Sequence, residues 1–160
     1  MNKEVKEALD EQINFEIYSG FIYLNLSFIM EKYNFKGYAK WLENHYQEEL
    51  EHASDFYRFI IKRDETPKLL DVKMEEFTDV TTPLEVAKII YEHERKVSSR
   101  IYRLHDLAKR NDDYATEIFM HSYIEEQIEE EDITKTIVDQ FTLAGNDVGA
   151  QIIVDRGLLG

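Results

Sequence analysis

The sequence predicts an all-α protein, a four-helix bundle with a long crossover between its second and third helices and a short fifth helix. Apolar residues recur every three or four positions over four long stretches, which is the pattern of amphipathic helices. Glycine is scarce, and both prolines, Pro67 and Pro83, fall in or at the edge of one segment. A chain of 160 residues is long enough for a single domain, so we expect residues 1–160 to share one core.

The first four helices are expected to form two hairpins. The first two amphipathic stretches cover about residues 3–32 and 36–63 and meet at the sequence NFKG. The third and fourth cover about residues 83–110 and 113–141 and meet at RNDD. Because joins this short permit only antiparallel neighbours, each pair predicts a helical hairpin.

The segment from Asp64 to Thr82 separates the hairpins. Structureless connections of this length are uncommon inside compact domains. A helix of about 28 residues is about 42 Å long, and an extended segment of this size can run that whole distance. The segment therefore predicts a crossover that joins two parallel helices. After Gly145, the apolar residues of about 146–157 predict a short fifth helix that packs on another surface, such as a second subunit.

Composition excludes several classes of function. The net charge is −14, so a nucleic-acid backbone or an anionic membrane would be repelled, and cations are the expected partners. The absence of cysteine excludes disulfides and thiolate zinc sites. The charged amino terminus, MNKEVKEALDEQ, does not resemble a signal peptide, and no apolar run approaches the ~18 residues of a membrane span. We therefore expect a cytoplasmic protein that binds neither nucleic acid nor membrane.

Each long helix carries one glutamate on its inward-facing stripe, near the helix midpoint. In a bundle of equal helices the midpoints meet at one height, so the four carboxylates should converge. Burying an unpaired charge costs several kcal/mol, and no lysine or arginine occupies the same stripes. A bound metal accounts for this pattern. The four residues are Glu16, Glu49, Glu94 and Glu130.

Spacing along the helices predicts which of these residues bind a first metal ion and which bind a second. His52 follows Glu49 by three positions, so both side chains project from one helical face toward one ion, with Glu16 opposite. Glu49 has a second oxygen that can bridge to a second ion. Oxygen-rich ligation with one imidazole suits iron or manganese, although zinc can also bind. The other predicted ligands of the second ion are Glu94, Glu130 and Gln127.

The acidic run EEQIEEED, residues 125–132, suggests a third and weaker metal position. Its like-charged neighbours on one helix are each unfavourable by roughly 0.2–0.5 kcal/mol, and cations would relieve them. A solvated helix face remains an alternative for part of the run. The predicted ligands of the third ion are Glu48, Glu126 and Glu129.

Structural interpretations remain open for single residues. A hydrogen bond from Tyr23 or Tyr123 would explain one buried glutamate but not four. His45 lies on the inward stripe about two turns before His52 and is interpreted as a core histidine. The histidines interpreted as surface or interface residues rather than ligands are His93, His105 and His121.

Four motifs resemble those of the bacterial-type non-haem ferritins, and the resemblance covers the chain from end to end. They are DEQINFEIYSGFIY (Asp10 to Tyr23), similar to the family's NEQ and NLELYS; QEELEH (Gln47 to His52), similar to QEEMxH; YEHE (Tyr91 to Glu94); and EQIEEE (Glu126 to Glu131). The resemblance implies a ferritin-like bundle, the same three groups of iron ligands, and a tyrosine beside the site at Tyr23. It also implies a hollow shell of 24 subunits, with the short last helix lining the four-fold axes.

At several positions this sequence differs from related families, and these differences indicate which cofactors and redox residues are not expected. Bacterioferritins carry a second E-x-x-H on the fourth helix and a haem-ligating methionine on the second. In this chain, Gln127 and Glu130 occupy the Glu and His positions of that second motif, and Leu50 occupies the methionine position. No haem is therefore expected. Some ferritins carry a tryptophan just before the residue that matches Tyr123, where this chain has Ser122. Rubrerythrins require cysteines, which are absent.

The resemblance implies iron storage with ferroxidase activity. Two Fe(II) ions enter the paired site, dioxygen or peroxide accepts their electrons, and the ferric product moves to a mineral core. Two alternatives remain open at this stage. One is a di-iron oxidoreductase that acts on another substrate, and the other is a non-catalytic metal-binding scaffold.

Overall fold

The computed structural model describes residues 1–160, which form five helices and no strands. The predicted all-α fold, with its long crossover and short last helix, is confirmed. The helices are α1 (Lys3–Lys32), α2 (Lys36–Lys62), α3 (Pro83–Arg110), α4 (Tyr114–Ala144) and α5 (Val148–Gly157).

Capping and turn residues define the hairpins. The Asn2 side chain accepts hydrogen bonds from two backbone amides of the first turn of α1. Thr82 and Glu85 form a capping box at the start of α3, where Pro83 occupies a position that needs no amide donor. Each hairpin turn contains one residue with left-handed backbone, Asn34 (φ 66°) and Asp112 (φ 51°). Asparagine and aspartate tolerate this conformation better than most residues.

The apolar core consists of two clusters. One contains Tyr38 and Phe141, and the other contains Leu9 and Phe56; we term them the Tyr38 cluster and the Phe56 cluster. On α1, Ile13 belongs to the Phe56 cluster and Ile22 to the Tyr38 cluster. On every long helix the glutamate predicted as a ligand falls between the residues of the two clusters. A polar layer is therefore enclosed by apolar side chains at both ends.

Polar residues of α1 anchor the crossover. The Lys68 amide donates to Asp10 Oδ1 (2.9 Å), and the Leu70 amide donates to Asn14 Oδ1 (2.8 Å). The Asn25 side chain donates to the Glu75 carbonyl oxygen (3.1 Å). These contacts satisfy an extended backbone that has no secondary structure of its own. They also explain why Asp10 and Asn14 are buried on a helix surface.

Helix α5 is attached to the bundle through Asp155. Its carboxylate accepts hydrogen bonds from the backbone amides of Gly37 (3.1 Å) and Tyr38 (2.7 Å) at the start of α2. Phe35, the residue that precedes α2, provides no side-chain cap, so Asp155 supplies one from 118 residues away. None of the five helices combines the length and the apolar composition required to cross a membrane.

The close contact at Gly37 generates a stability prediction. A Cβ atom at this position would lie 2.0 Å from the Asp155 carbonyl oxygen, so Gly37→Ala must displace α5. Helix propensity alone would favour alanine by up to about 1 kcal/mol. We instead expect the free energy of unfolding to fall by about 1–3 kcal/mol in denaturant titrations. The control is Gly157→Ala, where the added Cβ meets no atom within 4 Å. A Gly37→Ala protein as stable as the parent would contradict this account.

Candidate metal centre

The polar layer brings three of the predicted glutamates into the bundle interior. Glu16, Glu49 and Glu94 are almost completely buried, at 1%, 5% and 1% exposure, whereas Glu130 is half-buried. Each comes from a different helix and from the interval between the two apolar clusters. The layer therefore holds four carboxylates where aliphatic side chains would be expected.

Glu16, Glu49 and His52 form the first group of potential ligands. Their ligand atoms all lie within 4.8 Å of one another. His52 Nδ1 lies 3.1 Å from Glu49 Oε2 and 4.0 Å from Glu16 Oε2. The separation of Glu49 and His52 by one helical turn makes the first of these contacts possible.

Glu16 has one satisfied oxygen and one unsatisfied oxygen. The Gln12 amide donates to Oε1 at 2.7 Å, and the Arg100 guanidinium in turn donates to Gln12 Oε1 at 3.2 Å. Glu16 Oε2 is buried and has no hydrogen-bond partner. An unpartnered carboxylate oxygen in a protein interior is unfavourable unless a cation or a proton binds it. Gln12 thus determines which oxygen of Glu16 is available to an ion.

Burial changes the protonation of these groups. It raises the pKa of Glu16, and the neighbouring Glu49 raises it further. Burial also raises the pKa of Glu49 and brings that of Glu94 to about 7. Burial opposes a charge on His52, but hydrogen bonds to Glu126 and Glu49 outweigh it and raise the pKa to about 12. Protons therefore reduce the repulsion in the metal-free layer, and a bound cation would displace them.

Glu94 is oriented by two hydrogen-bond donors. The Tyr23 hydroxyl donates to Glu94 Oε1, and the Gln127 amide donates to Glu94 Oε2 at 3.1 Å. The same Gln127 nitrogen lies 3.1 Å from the Ser98 hydroxyl. The structure thus brings Tyr23, which was expected beside the paired site, and Gln127, which was expected near the second ion, into contact with Glu94.

Glu130 faces His45 and Glu48 rather than the group formed by Glu16, Glu49 and His52. His45 Nε2 lies 3.3 Å from Glu130 Oε2 and 3.8 Å from Glu48 Oε2. The ligand atoms of these three residues also lie within 4.8 Å of one another. His45 stacks on Trp41 with ring centroids 3.8 Å apart. The interpretation of His45 as a core histidine missed its contact with Glu130, although its position one turn before Glu49 on the same stripe was the available signal.

The three residues predicted for a third ion do not form one group. His52 Nε2 lies 3.0 Å from Glu126 Oε1, whereas Glu48 lies on the side of His45. Glu129 is exposed. The structure therefore places Glu126 beside His52 and Glu48 beside His45, and the three carboxylates do not form one group of potential ligands.

One histidine differs from its expected environment. His93 is buried, and its Nε2 lies 2.8 Å from the Ser19 hydroxyl. Burial lowers its pKa to about 4. The interpretation of His93 as a surface or interface residue is therefore wrong, because this residue faces α1 and packs against Phe15. His105 and His121 lie outside the layer, in a separate group with Glu117.

Comparison with known proteins identifies the family. The protein-family model of the ferritin-like domain matches residues 6–144 of the sequence. The bacterial non-heme ferritin of Bacteroides fragilis is 37% identical over 146 residues, which cover 91% of each chain. The Escherichia coli protein of the same name is 31% identical over 158 residues, 99% of this chain and 95% of its relative. An open-pore ferritin from the hyperthermophilic archaeon Archaeoglobus fulgidus has 35% identity and a TM-score of 0.95, with 99% of this chain and 98% of that chain covered.

The environment of Glu16 generates a prediction for the metal-free protein. In Glu16→Gln, the carbonyl oxygen keeps the bond from Gln12, while the buried charge is removed. Because the pKa of Glu16 is raised on folding, the parent loses stability as pH rises above the unfolded value of about 4.3, and the variant does not. We expect the chelator-treated variant to be more stable than the parent by roughly 1–2 kcal/mol at pH 8, with a smaller difference at pH 5.

Chemical denaturation at both pH values, with and without a redox-inert divalent ion, measures this difference. The ion should stabilise the parent more than the variant. If Glu16 were only a structural residue with satisfied hydrogen bonds, the substitution would instead destabilise the metal-free protein by about 1–3 kcal/mol.

Proposed function

The chain belongs to the ferritin family, and on that premise we propose that it oxidises Fe(II) at the carboxylate layer of each subunit and stores the ferric product within an oligomeric shell. The observation that carries the proposal is the unpartnered, buried Glu16 Oε2 among the carboxylates of Glu49 and Glu94. A scaffold gains nothing from this arrangement, since buried charges without partners destabilise the fold. A site that must attract and release divalent cations requires it.

The paired iron site follows from the two groups in the layer. Glu16, Glu49 and His52 would bind the first Fe(II), and the remaining oxygen of Glu49 would reach the second. Oxygen-rich ligation with one imidazole suits iron. The further residues assigned to the second Fe(II) are Glu94, Glu130 and Gln127, with Tyr23 beside them.

Neighbouring residues would prepare the layer for its substrate. Gln12 donates to one oxygen of Glu16 and leaves the other, which is buried, available to the ion. Tyr23 and Gln127 hold both oxygens of Glu94. Binding of Fe(II) would release the protons that burial retains on the carboxyl groups, and His52 would bind as a neutral imidazole. Dioxygen or peroxide would accept the electrons, and the ferric ions would then hydrolyse and leave for the mineral.

A third iron position is proposed at the edge of the layer, with Glu48, Glu126 and Glu129 as ligands. Support comes from Glu126, which is half-buried and contacts the His52 ring on the side away from Glu49. Glu129 is one turn from Glu126 and exposed, so it could turn toward an ion without disturbing the core. Because the three carboxylates are separated in the structure, this position should bind iron more weakly than the pair.

An oligomeric shell is supported by the apolar surface of α4 and α5. Leu143 and Ile153 are 87% and 73% exposed, and both border a groove between the two helices. Apolar side chains this exposed and this close together are typical of subunit interfaces. A shell of 24 subunits, with α5 near its four-fold axes, is the assembly that we propose.

Removal of a paired-site ligand tests the oxidation site. We expect Glu49→Ala or His52→Ala to abolish fast iron oxidation and leave the assembly intact, because both side chains lie in the layer and not on an outer surface. Stopped-flow absorbance after anaerobic Fe(II) loading and oxygen mixing measures oxidation, and light scattering measures particle mass. Glu51→Ala is the matched control, since Glu51 lies between Glu49 and His52 on α2 but is exposed. Oxidation at the parental rate by either ligand variant would refute the assignment.

A different outcome is expected when the proposed third position is removed. Replacing Glu48, Glu126 and Glu129 together by glutamine should change the iron stoichiometry and the turnover more than the first oxidation of the pair, because Glu16, Glu49 and Glu94 remain. Single-turnover stopped-flow and iron-binding titrations separate these quantities. Loss of the first oxidation would show that the three residues belong to the paired site.

The particle mass from light scattering also tests the proposed shell. A monomer or dimer would favour a non-storage oxidoreductase.

A further inference from the structure

Two hydrogen bonds in series connect the surface of the bundle to the carboxylate layer. Arg100 Nε on α3 donates to Gln12 Oε1 at 3.2 Å, and Gln12 Nε2 donates to Glu16 Oε1 at 2.7 Å. Gln12 and Glu16 are each 1% exposed, whereas Arg100 is half-buried. A cationic side chain at the surface is therefore linked, through one buried amide, to a carboxylate of the layer.

Local sequence and packing place the three residues. Gln12 precedes Glu16 by four positions, so both side chains lie on one face of α1. Arg100 follows Glu94 by six positions, which places it about 9 Å beyond Glu94 along α3. Its guanidinium lies over the Phe15 ring of α1, 4.2 Å from the ring centroid. This cation–π contact holds the arginine beside Gln12.

The chemistry of the two end groups determines the orientation of the Gln12 amide. A guanidinium only donates hydrogen bonds, and a carboxylate that binds a metal ion only accepts them. Gln12 can satisfy both neighbours in one orientation, with its oxygen toward Arg100 and its nitrogen toward Glu16. The reversed amide would place two acceptor oxygens together at Glu16 and two donors together at Arg100. Arg100 therefore keeps the Gln12 donor directed at Glu16.

Arg100 differs from the neighbouring arginines of α3 in its partner. Arg95 pairs with Glu92 of the same helix at 3.2 Å. Arg103 donates to a serine hydroxyl of the same helix at 2.9 Å. The Arg100 side chain instead donates its hydrogen bond to Gln12, across the interface between α3 and α1. Of these three arginines, Arg100 alone is linked to the carboxylate layer.

On the premise that the layer oxidises Fe(II), as proposed above, we propose that Arg100 is a positioning residue that acts through Gln12 to fix the rotation of the Glu16 carboxylate. With Oε1 held by Gln12, the buried Oε2 stays available to the first Fe(II). The ion then does not have to order the carboxylate when it binds. Loss of a hydrogen-bond partner of a metal ligand typically weakens metal binding by about 10–100-fold.

Replacing Arg100 by methionine tests the proposal, because methionine can still pack over Phe15 but cannot donate to Gln12. The assembled, chelator-treated protein is mixed with a series of Fe(II) concentrations and oxygen in a stopped-flow instrument. In Arg100→Met, the Fe(II) concentration that gives half the maximal rate should rise about tenfold or more, while the rate at saturating Fe(II) should fall much less. The matched control is Arg103→Met, which removes the same charge three positions further along α3 and should match the parent.

A second substitution shows whether Arg100 acts through Gln12. Gln12→Leu removes the amide, so adding Arg100→Met to that variant should not change the half-saturating Fe(II) concentration further. Co²⁺ provides a readout that does not require oxidation, because its visible absorption changes with its ligands. Titration with Co²⁺ should show a loss of affinity of about tenfold or more in Arg100→Met relative to the parent.

The outcomes distinguish a failure of this inference from a failure of the proposed function. Absence of fast oxidation by the parent would contradict the proposed function, and the Co²⁺ titrations would still test the role of Arg100. In Arg100→Met, an unchanged Co²⁺ affinity or an unchanged half-saturating Fe(II) concentration would overturn the inference. An equal loss in Arg103→Met, or a further loss when Arg100→Met is added to Gln12→Leu, would also overturn it.

Discussion

The burial of several carboxylates halfway along the bundle is the constraint on which the rest of the structure depends. Charged groups in an apolar interior oppose folding, so the stability of the subunit has to come from elsewhere. The Tyr38 cluster and the Phe56 cluster enclose the layer from both ends and supply the buried apolar surface. Each long helix therefore has apolar residues that stabilise the fold on both sides of a central glutamate that destabilises it.

Hydrogen bonding within the layer is selective. Both oxygens of Glu94 have donors, and one oxygen of Glu16 has a donor from Gln12. The remaining oxygen, Glu16 Oε2, has none. A layer that was fully satisfied would have little affinity for a cation, and one without any donors would leave the carboxylates free to rotate. Partial satisfaction orients the carboxylates and leaves one buried oxygen without a partner.

Contacts between distant parts of the chain maintain this arrangement. The crossover has no secondary structure, yet Asp10 and Asn14 of α1 satisfy its backbone amides and hold it along the bundle. At the other end, Asp155 caps α2 and attaches α5. In both places, aspartate or asparagine side chains replace backbone partners that the irregular segment or the helix end lacks. These contacts hold the crossover and α5 against the four long helices.

The sequence by itself determined the helices, the crossover and the four central glutamates, because helical periodicity and the spacing of Glu49 and His52 are local properties of the chain. The motifs added the family and its ligand groups by resemblance. Only the tertiary structure decided that His93 is buried against Ser19, that His45 meets Glu130, and that Asp155 caps a helix far from it in sequence. These contacts depend on how each helix is rotated about its axis and on which neighbour it faces. Spacing along one helix does not contain that information, since it is fixed by packing between residues tens of positions apart.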